Sequence, residues 1–395
     1  MITVVGIGAD GWSGLSESAR SAILAAEEVI GSERQLATLP DDVPNRRTLP
    51  SPLAPLIDEL AATNGARRVV VLASGDPMLH GIGATLARRI DPSRLEVIGH
   101  PSAFALACAR LGWAEADVSL VSTVARPADT VARYLQPRRR IVIYGAGNEV
   151  AEVVRNAGYG PSRLVVLEQL GGPGERIAEA TAATWTRTDL DPLHATAVEC
   201  RREPGAPLHP LVPGLPDDAY EHDGALTKRH VRAATLAALA PTPAALLWDV
   251  GAGSGSIAIE WLRAEPTARA IAIEQREDRA QRIERNAARL GVPSLQVLVG
   301  HAPDALTRAD SPAAIFIGGG LTTHGLIQTC WDSLDPGGRL VANAVTIEGE
   351  QTLTDACASH GGELARFEVS HAEPTGGFTA WRPALPIVQW SIEKP

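Results

Sequence analysis

Leu246-Leu-Trp-Asp-Val-Gly-Ala-Gly-Ser-Gly-Ser256 is the stretch on which the reading of the fold turns. An apolar run from Ala245 to Trp248 ends in Asp249, and glycines follow at 251, 253 and 255. The pattern predicts a buried parallel strand entering a tight glycine turn, with a helix opening at Ser256. Glycine suits such a turn because a side chain would keep a ligand away from the backbone. A second apolar run, Ala270-Ile-Ala-Ile273, ends in Glu274. A carboxylate at the end of the next strand, roughly 20 residues past the turn, is placed to hold a ribose diol. The stretch therefore predicts a site for a molecule that carries adenosine.

Outward from this point, apolar strand patterns at 246–250, 269–273, 295–299, 313–317 and 339–344 alternate with helical patterns at 256–264, 277–290, 323–333 and 348–360. Such βαβ repetition predicts a mostly parallel sheet with helices on both faces. An amphipathic helix over 227–239, closed by Pro241 and Pro243, leads into it, and 363–393 read as a closing pair of strands. Upstream, Glu203 to Pro216 is too rich in proline for a helix or a central strand. The chain divides on this reading into a domain over 1–203, a Pro-rich linker over 204–224 and a domain over 225–395. The first domain is also α/β. Strand 2–5 runs into Gly6-Ile-Gly8-Ala-Asp10-Gly11, with a helix around 16–29; strand 68–72 runs into Gly75-Asp76-Pro77. Strand 95–98 leads to Pro101-Ser102-Ala103 and a helix, and glycines follow strands 140–144 and 164–167. Loops beyond strand ends are where open α/β sheets bind ligands.

The 395 residues suffice for two or three domains with cores of their own. A net charge of −10 opposes a nucleic-acid partner, and the basic residues are arginines apart from Lys228 and Lys394. No apolar stretch reaches the ~20 residues a membrane span needs. Met1 opens directly on a strand without a basic leader, and the cysteines at 108, 200, 330 and 357 form no C-x-x-C or metal-ligand spacing. Buried thiols in a reducing cytoplasm, with no bound metal, are the expectation.

G-x-G-x-G with an acid two residues ahead of the first glycine resembles motif I of the class I S-adenosylmethionine methyltransferases. A dinucleotide fingerprint would read G-x-G-x-x-G, and Asp249 would sit badly beside a pyrophosphate. In the first domain, Gly6 to Gly11, Gly75-Asp76-Pro77 with Gly81, and Pro101-Ser102-Ala103 together resemble the tetrapyrrole methylase family, and Leu170 to Ile177 looks like its precorrin-6 branch. Leu215 to Gly224, Leu226-Thr-Lys228, Ala313 to Gly320 and Gly338 to Ala344 resemble the decarboxylating precorrin methyltransferases. The order of the two domains is similar to the fused form of that family. The implied fold class is α/β: an N-terminal two-lobed tetrapyrrole methylase fold followed by a class I Rossmann-like methyltransferase domain.

The resemblance implies methylation of precorrin-6B at ring positions 5 and 15, with loss of carbon dioxide from an acetate side chain, giving precorrin-8 in cobalamin synthesis. It implies S-adenosylmethionine as cofactor, a small-molecule tetrapyrrole as partner, and a homo-oligomer. Cofactor contacts would come from Thr227, Gly251, Ala252, Gly253, Ser254, Gly255, Glu274 and Ala302 in the second domain, and from Gly8, Gly75, Asp76 and Ser102 in the first. Glu274 would take the ribose hydroxyls and Ala302 the adenine, with Asp304 near the exocyclic amine. Asp249 would steady the loop or the ligand's amine. Thr227 has an equal competing role as a helix N-cap. Gly318–Gly320 would face substrate, with Lys228, Arg229, His230 or Arg382 as cations for its carboxylates, while His324 and Asn343 read more readily as core or capping residues. No catalytic residue is assigned. Two positions depart from the family: Val124 stands where a histidine is expected, and no Thr-Pro follows Asn148. The rival readings are an RNA or protein methyltransferase using the second domain alone, a dehydrogenase, and a non-catalytic tetrapyrrole carrier.

Overall fold

The computed structural model describes residues 1–43, 45–63 and 67–395. The chain forms two compact units, one of Met1–Ala128 with Pro137–Glu203, the other of Pro204–Pro395 with the short segment Asp129–Gln136.

In the first unit, β1 (Ile2–Ile7), β2 (Glu28–Gly31), β3 (Arg46–Thr48), β4 (Val69–Ser74) and β5 (Leu95–Ile98) form a parallel sheet in the order β3-β2-β4-β1-β5. Every residue of β1 is buried. Val5 and Ile7 join one apolar cluster while Ile2 and Val4 join another, as alternate residues of a strand covered on both faces must. A second sheet runs β6-β7-β10-β8-β9, made of β6 (Val118–Ser122), β7 (Arg140–Tyr144), β8 (Arg163–Glu168), β9 (Arg176–Thr181) and β10 (His194–Glu199). Here the β6–β7 pair is parallel and the other pairs are antiparallel. The helix expected around 16–29 stops at Leu24, and the chain enters β2 instead. The β-branched pair Val29-Ile30 is completely buried there, and pairing with β4 outweighs local helical periodicity.

The second unit holds a seven-stranded sheet. Its strands are β11 (Leu246–Val250), β12 (Arg269–Glu274), β13 (Gln296–Val299), β14 (Ala314–Ile317), β15 (Arg339–Ala344), β16 (Glu363–Phe367) and β19 (Ile387–Glu393), in the order β13-β12-β11-β14-β15-β19-β16. The first five are parallel, and β19 runs antiparallel between β15 and β16. The strand order reverses at β11, the position at which an open α/β sheet leaves a crevice. The expected closing pair is interrupted by a hairpin, β17 (Ser370–Thr375) with β18 (Phe378–Pro383), whose residues are largely exposed.

The passage expected as a linker is grouped with this unit, and its later part is packed. Glu260, buried on the helix Ser256–Ala264, accepts hydrogen bonds from Gly214 N (2.5 Å), Leu215 N (3.0 Å) and Tyr220 Oη (2.8 Å), and pairs with Arg232 Nε at 2.6 Å. Prolines keep most of this passage out of helix and strand, but two of its N–H groups, those of Gly214 and Leu215, find one buried carboxylate.

Candidate functional site

Directly after β11 the chain makes the turn Gly251–Gly255 and enters the helix Ser256–Ala264. Gly251 has φ +71°, and a Cβ there would lie 2.7 Å from Gly319 Cα; Gly253 has φ +60° and would meet Ala225 O at 3.1 Å. Glycine is thus required by left-handed backbone and by the approach of two neighbouring loops, beyond any need of ligand access.

Glu274, 3 % exposed, ends β12 against this turn. Its Oε2 accepts from Gly253 N at 2.9 Å and its Oε1 from Arg276 N at 3.0 Å, so the carboxylate is held in place with lone pairs to spare. Asp249 is 1 % exposed; Oδ2 accepts from Ala258 N at 3.0 Å, in the first turn of the helix, while Oδ1 has no hydrogen-bond partner. Burial pushes this carboxyl up to about 7; the Ala258 N–H opposes the rise and the nearby Glu274 charge adds to it.

The turn opens on a cavity of about 670 Å³ lined by Thr227, Gly251, Ala252, Gly253, Glu274 and Ala302, together with Gly318–Gly320. Ser254 and Gly255 do not line it. Ser254 is 1 % exposed and its carbonyl accepts from Asn286 Nδ2 at 3.0 Å, while a Cβ on Gly255 would strike Ile283. Thr227 is not the N-cap of the following helix, which spans Arg229–Leu239 with Lys228 at the cap position and no side-chain cap bond. The strip before it is anchored through Asp223, which receives Arg279 Nε at 2.9 Å and faces Arg282 at 3.3 Å; these guanidiniums, Arg279 first, hold Asp223 well below the usual carboxylate range.

Of the cations proposed for substrate, Lys228 and His230 line the cavity; Arg229, Arg382, His324 and Asp304 are not part of its wall. Arg382 pairs with Glu373 at 3.1 Å. Asn343 lines the cavity with its amide fixed from behind. Its Nδ2 donates to Thr235 Oγ1 (3.0 Å), and Gln389 Nε2 donates to both Thr235 Oγ1 (3.0 Å) and Asn343 Oδ1 (2.9 Å). His301, Arg279 and His371 also line it and were not anticipated. His371 comes from β17 to within 6.0 Å of the His230 ring, centroid to centroid. Nothing in the spacing of 230 and 371 announces that meeting.

The first unit has its own cavity of about 470 Å³, and Gly8, Gly75, Asp76 and Ser102 all line it. A Cβ on Gly8 would lie 2.6 Å from both Asp10 Oδ1 and His100 Cε1, and His100 Nε2 stands 3.2 Å from Asp10 Oδ2. Asp76 Oδ1 accepts from Met78 N at 2.8 Å and shapes the turn; Ser102 caps the helix Ala103–Leu111 by accepting from Ala105 N at 3.0 Å. Tyr144 Oη accepts from Phe104 N at 2.6 Å, and burial pushes its hydroxyl up to about 12. Val124, at the first departure from the family pattern, lines this cavity and is 64 % exposed. Arg34, Gln35, His80 and His194 also line it, and the sequence alone singles out none of them. Among the described residues no group of three or more His, Cys, Asp or Glu is placed to hold a metal ion, and no helix is long and apolar enough to cross a membrane.

Two family models match, "Tetrapyrrole (Corrin/Porphyrin) Methylases" over residues 1–185 and "Precorrin methyltransferase domain" over residues 218–394. The chain is 46 % identical over 398 residues to a Sinorhizobium sp. protein named precorrin-6Y C(5,15)-methyltransferase (decarboxylating), covering 100 % of this chain and 96 % of that one. A Mycobacterium tuberculosis (strain ATCC 25618 / H37Rv) protein of the same name is 46 % identical over 401 residues, with 100 % of both chains covered. The crystal structure of the C-terminal domain of precorrin-6Y C5,15-methyltransferase from Rhodobacter capsulatus is 46 % identical, covers 47 % of this chain and 100 % of its own, and superposes with a TM-score of 0.45.

Proposed function

The chain belongs to the family of decarboxylating precorrin-6Y C5,15-methyltransferases, and from that membership we propose that it methylates precorrin-6B at ring positions 5 and 15 and removes the carboxyl group of one acetate side chain, giving precorrin-8 in cobalamin biosynthesis. One observation carries the reading: two separate cavities lie beyond parallel-strand ends, one inside the stretch matched by the precorrin methyltransferase model and the other lined mostly by residues of the stretch matched by the tetrapyrrole methylase model, with residues 192–195 just beyond it. An RNA or protein methyltransferase would leave the first cavity unexplained, and a net charge of −10 opposes a polyanion.

S-adenosylmethionine is the donor this family membership implies, and when bound it supplies an electrophilic methyl group. The residues of the second cavity suit it. Gly251 and Gly253 leave the turn's backbone bare, Glu274 offers a fixed carboxylate to a ribose diol, and the unpartnered Asp249 Oδ1 is a buried acceptor behind the turn. In the first cavity Gly8, Gly75, Asp76 and Ser102 would serve a second donor molecule. Lys228 offers a cation, and His230 and His371 ring nitrogens, to the carboxylates of the macrocycle, and Asn343 a rigid amide. The protein's task is then alignment and exclusion of water, since the pyrrolic π-system is itself the nucleophile. The first domain would serve position 5, and the second position 15 and the decarboxylation.

We place the enzyme in the cytoplasm as a homo-oligomer; the exposed aromatics Phe378 and Trp381 on the hairpin support self-association, which sedimentation velocity reads directly. The chemistry is tested by mass spectrometry of a reaction with precorrin-6B and S-adenosylmethionine. Two methyl gains with one carbon dioxide loss are expected; unchanged macrocycle with turnover of an RNA or protein substrate would refute the proposal.

A further inference from the structure

Arg34 is the one arginine or lysine among the described residues lining the N-terminal cavity, and it stands beside the Gly75-Asp76-Pro77 loop. It sits on the four-residue helix Glu33–Leu36, fixed by a reciprocal cap: Ser32 Oγ accepts from Gln35 N, and Gln35 Oε1 accepts from Ser32 N at 2.8 Å. Arg34 Nη2 and Gln35 Nε2 both donate to Ser74 Oγ, at 3.1 and 3.2 Å, at the end of β4.

The guanidinium is half-buried, yet among the described residues no carboxylate is within ion-pair reach of it. Asp191 acts on it only through longer-range attraction, and its Oδ1 accepts from Gln169 Nε2 (2.9 Å) and Leu193 N (2.7 Å). Burial lowers the Arg34 pKa, the attraction of Asp191 opposing it. Removing a cation from water is unfavourable unless an anion or a full set of acceptors replaces the water, and one serine hydroxyl is far short of the five N–H donors a guanidinium presents. The same cavity wall holds a buried polar atom without a partner: His194 donates Nδ1–H to Asp191 O at 2.6 Å, and its buried Nε2 meets no hydrogen-bonding group.

We propose that Arg34 is the carboxylate anchor of the N-terminal cavity, receiving a ligand carboxylate on its free guanidinium edge beside the Gly75-Asp76-Pro77 loop. The inference rests on the methyltransferase reading above and adds to it a specificity-determining residue. Two molecules expected in this cavity carry that chemistry, the amino-acid end of the methyl donor and an acetate or propionate of the macrocycle.

The test compares the full-length parent with Arg34→Gln and Arg34→Lys. Calorimetry with S-adenosylmethionine and with its decarboxylated analogue reads the donor, and the KM and kcat for precorrin-6B in position-5 methylation read the macrocycle. Loss of one charge-assisted contact should weaken the affected ligand about 10- to 100-fold, with Arg34→Lys restoring part of it. If the donor is the source, the parent discriminates against the decarboxylated analogue at one of its sites and Arg34→Gln does not. If the macrocycle is the source, KM rises while kcat and donor affinity stay within about threefold. A melting temperature equal to the parent's shows that the variants are folded. The proposal is overturned if both variants match the parent within twofold in donor affinity, discrimination and KM. A parent that binds both donor forms equally at every site and methylates nothing at position 5 would instead overturn the functional reading of this cavity, and the proposal with it.

Discussion

Asp249→Asn should stabilise the ligand-free protein at pH 8, leave it unchanged near pH 5, and weaken its grip on the methyl donor. Asp249 is raised from 3.8 to about 7 in the folded chain. Between those two values the folded state holds a proton that the unfolded state has lost, so stability falls as pH rises through that window and the full penalty is present above it. Three pKa units at 1.36 kcal/mol each make that penalty about 4 kcal/mol. An asparagine keeps an oxygen for the Ala258 N–H but puts an amide where Oδ1 now has no partner, at a cost of about 1–2 kcal/mol. The net gain at pH 8 is therefore about 2–3 kcal/mol, shrinking towards zero at pH 5. Guanidinium unfolding of parent and variant, compared at each pH from 5 to 8 so that other titrating groups cancel, reads this directly. A difference in midpoint that stays flat across the range would refute the argument. Calorimetry supplies the second half: the cationic donor should lose about tenfold in affinity, and the parent should release a proton on binding at pH 6, because a cation near Asp249 favours its ionised form. Equal affinity in both proteins would remove Asp249 from the ligand's surroundings.

Gly253→Arg forces a side chain at φ +60° against Ala225 O and should reduce the binding stoichiometry for S-adenosylmethionine from two to one, with position-5 methylation retained; loss of all binding would contradict two independent sites. Glu274→Gln should weaken the donor about 10-fold at the second site, through the ribose contact and the loosened Gly253 N–H, and unchanged calorimetry would exclude that role. Glu260→Ala removes the nearer charge partner of buried Arg232, which keeps only Asp217 at 3.3 Å, and leaves three donors without an acceptor, so the second unit should lose about 3–5 kcal/mol; a change below 1 kcal/mol in denaturant unfolding would show the cluster to be dispensable.

The turn at Gly251 and the placement of Glu274 at the end of the next strand were legible because each is set by residues close in sequence: an apolar strand, a sharp reversal, a helix start. The same contiguity misled at Ser254 and Gly255. The motif runs through them without a break, but by residue 254 the chain has turned inward, and what surrounds it is Asn286 and Ile283 rather than the cavity. The Pro-rich passage before the second sheet shows a different limit. Its composition correctly excludes helix and strand over most of its length, yet composition cannot report that Glu260, some forty residues later, captures the N–H groups of Gly214 and Leu215. In the first unit, Arg34 stayed hidden because it falls between the helix expected around 16–29 and the strand expected at 68–72, whereas pairing of β2 with β4 pulls Val29 and Ile30 into the sheet and turns the next few residues towards the cavity. His371 is the extreme case: a hairpin inserted between two sheet strands carries it to His230, and no local pattern encodes the join. What could be read in advance is therefore the part of each cavity built from backbone and its immediate neighbours, the part proposed above for the methyl donor. What could not be read is the set of side chains delivered by distant segments, Arg34, His194 and His371, and the fixing of Asn343 by Thr235 and Gln389, because those meetings depend on how remote parts of the chain pack.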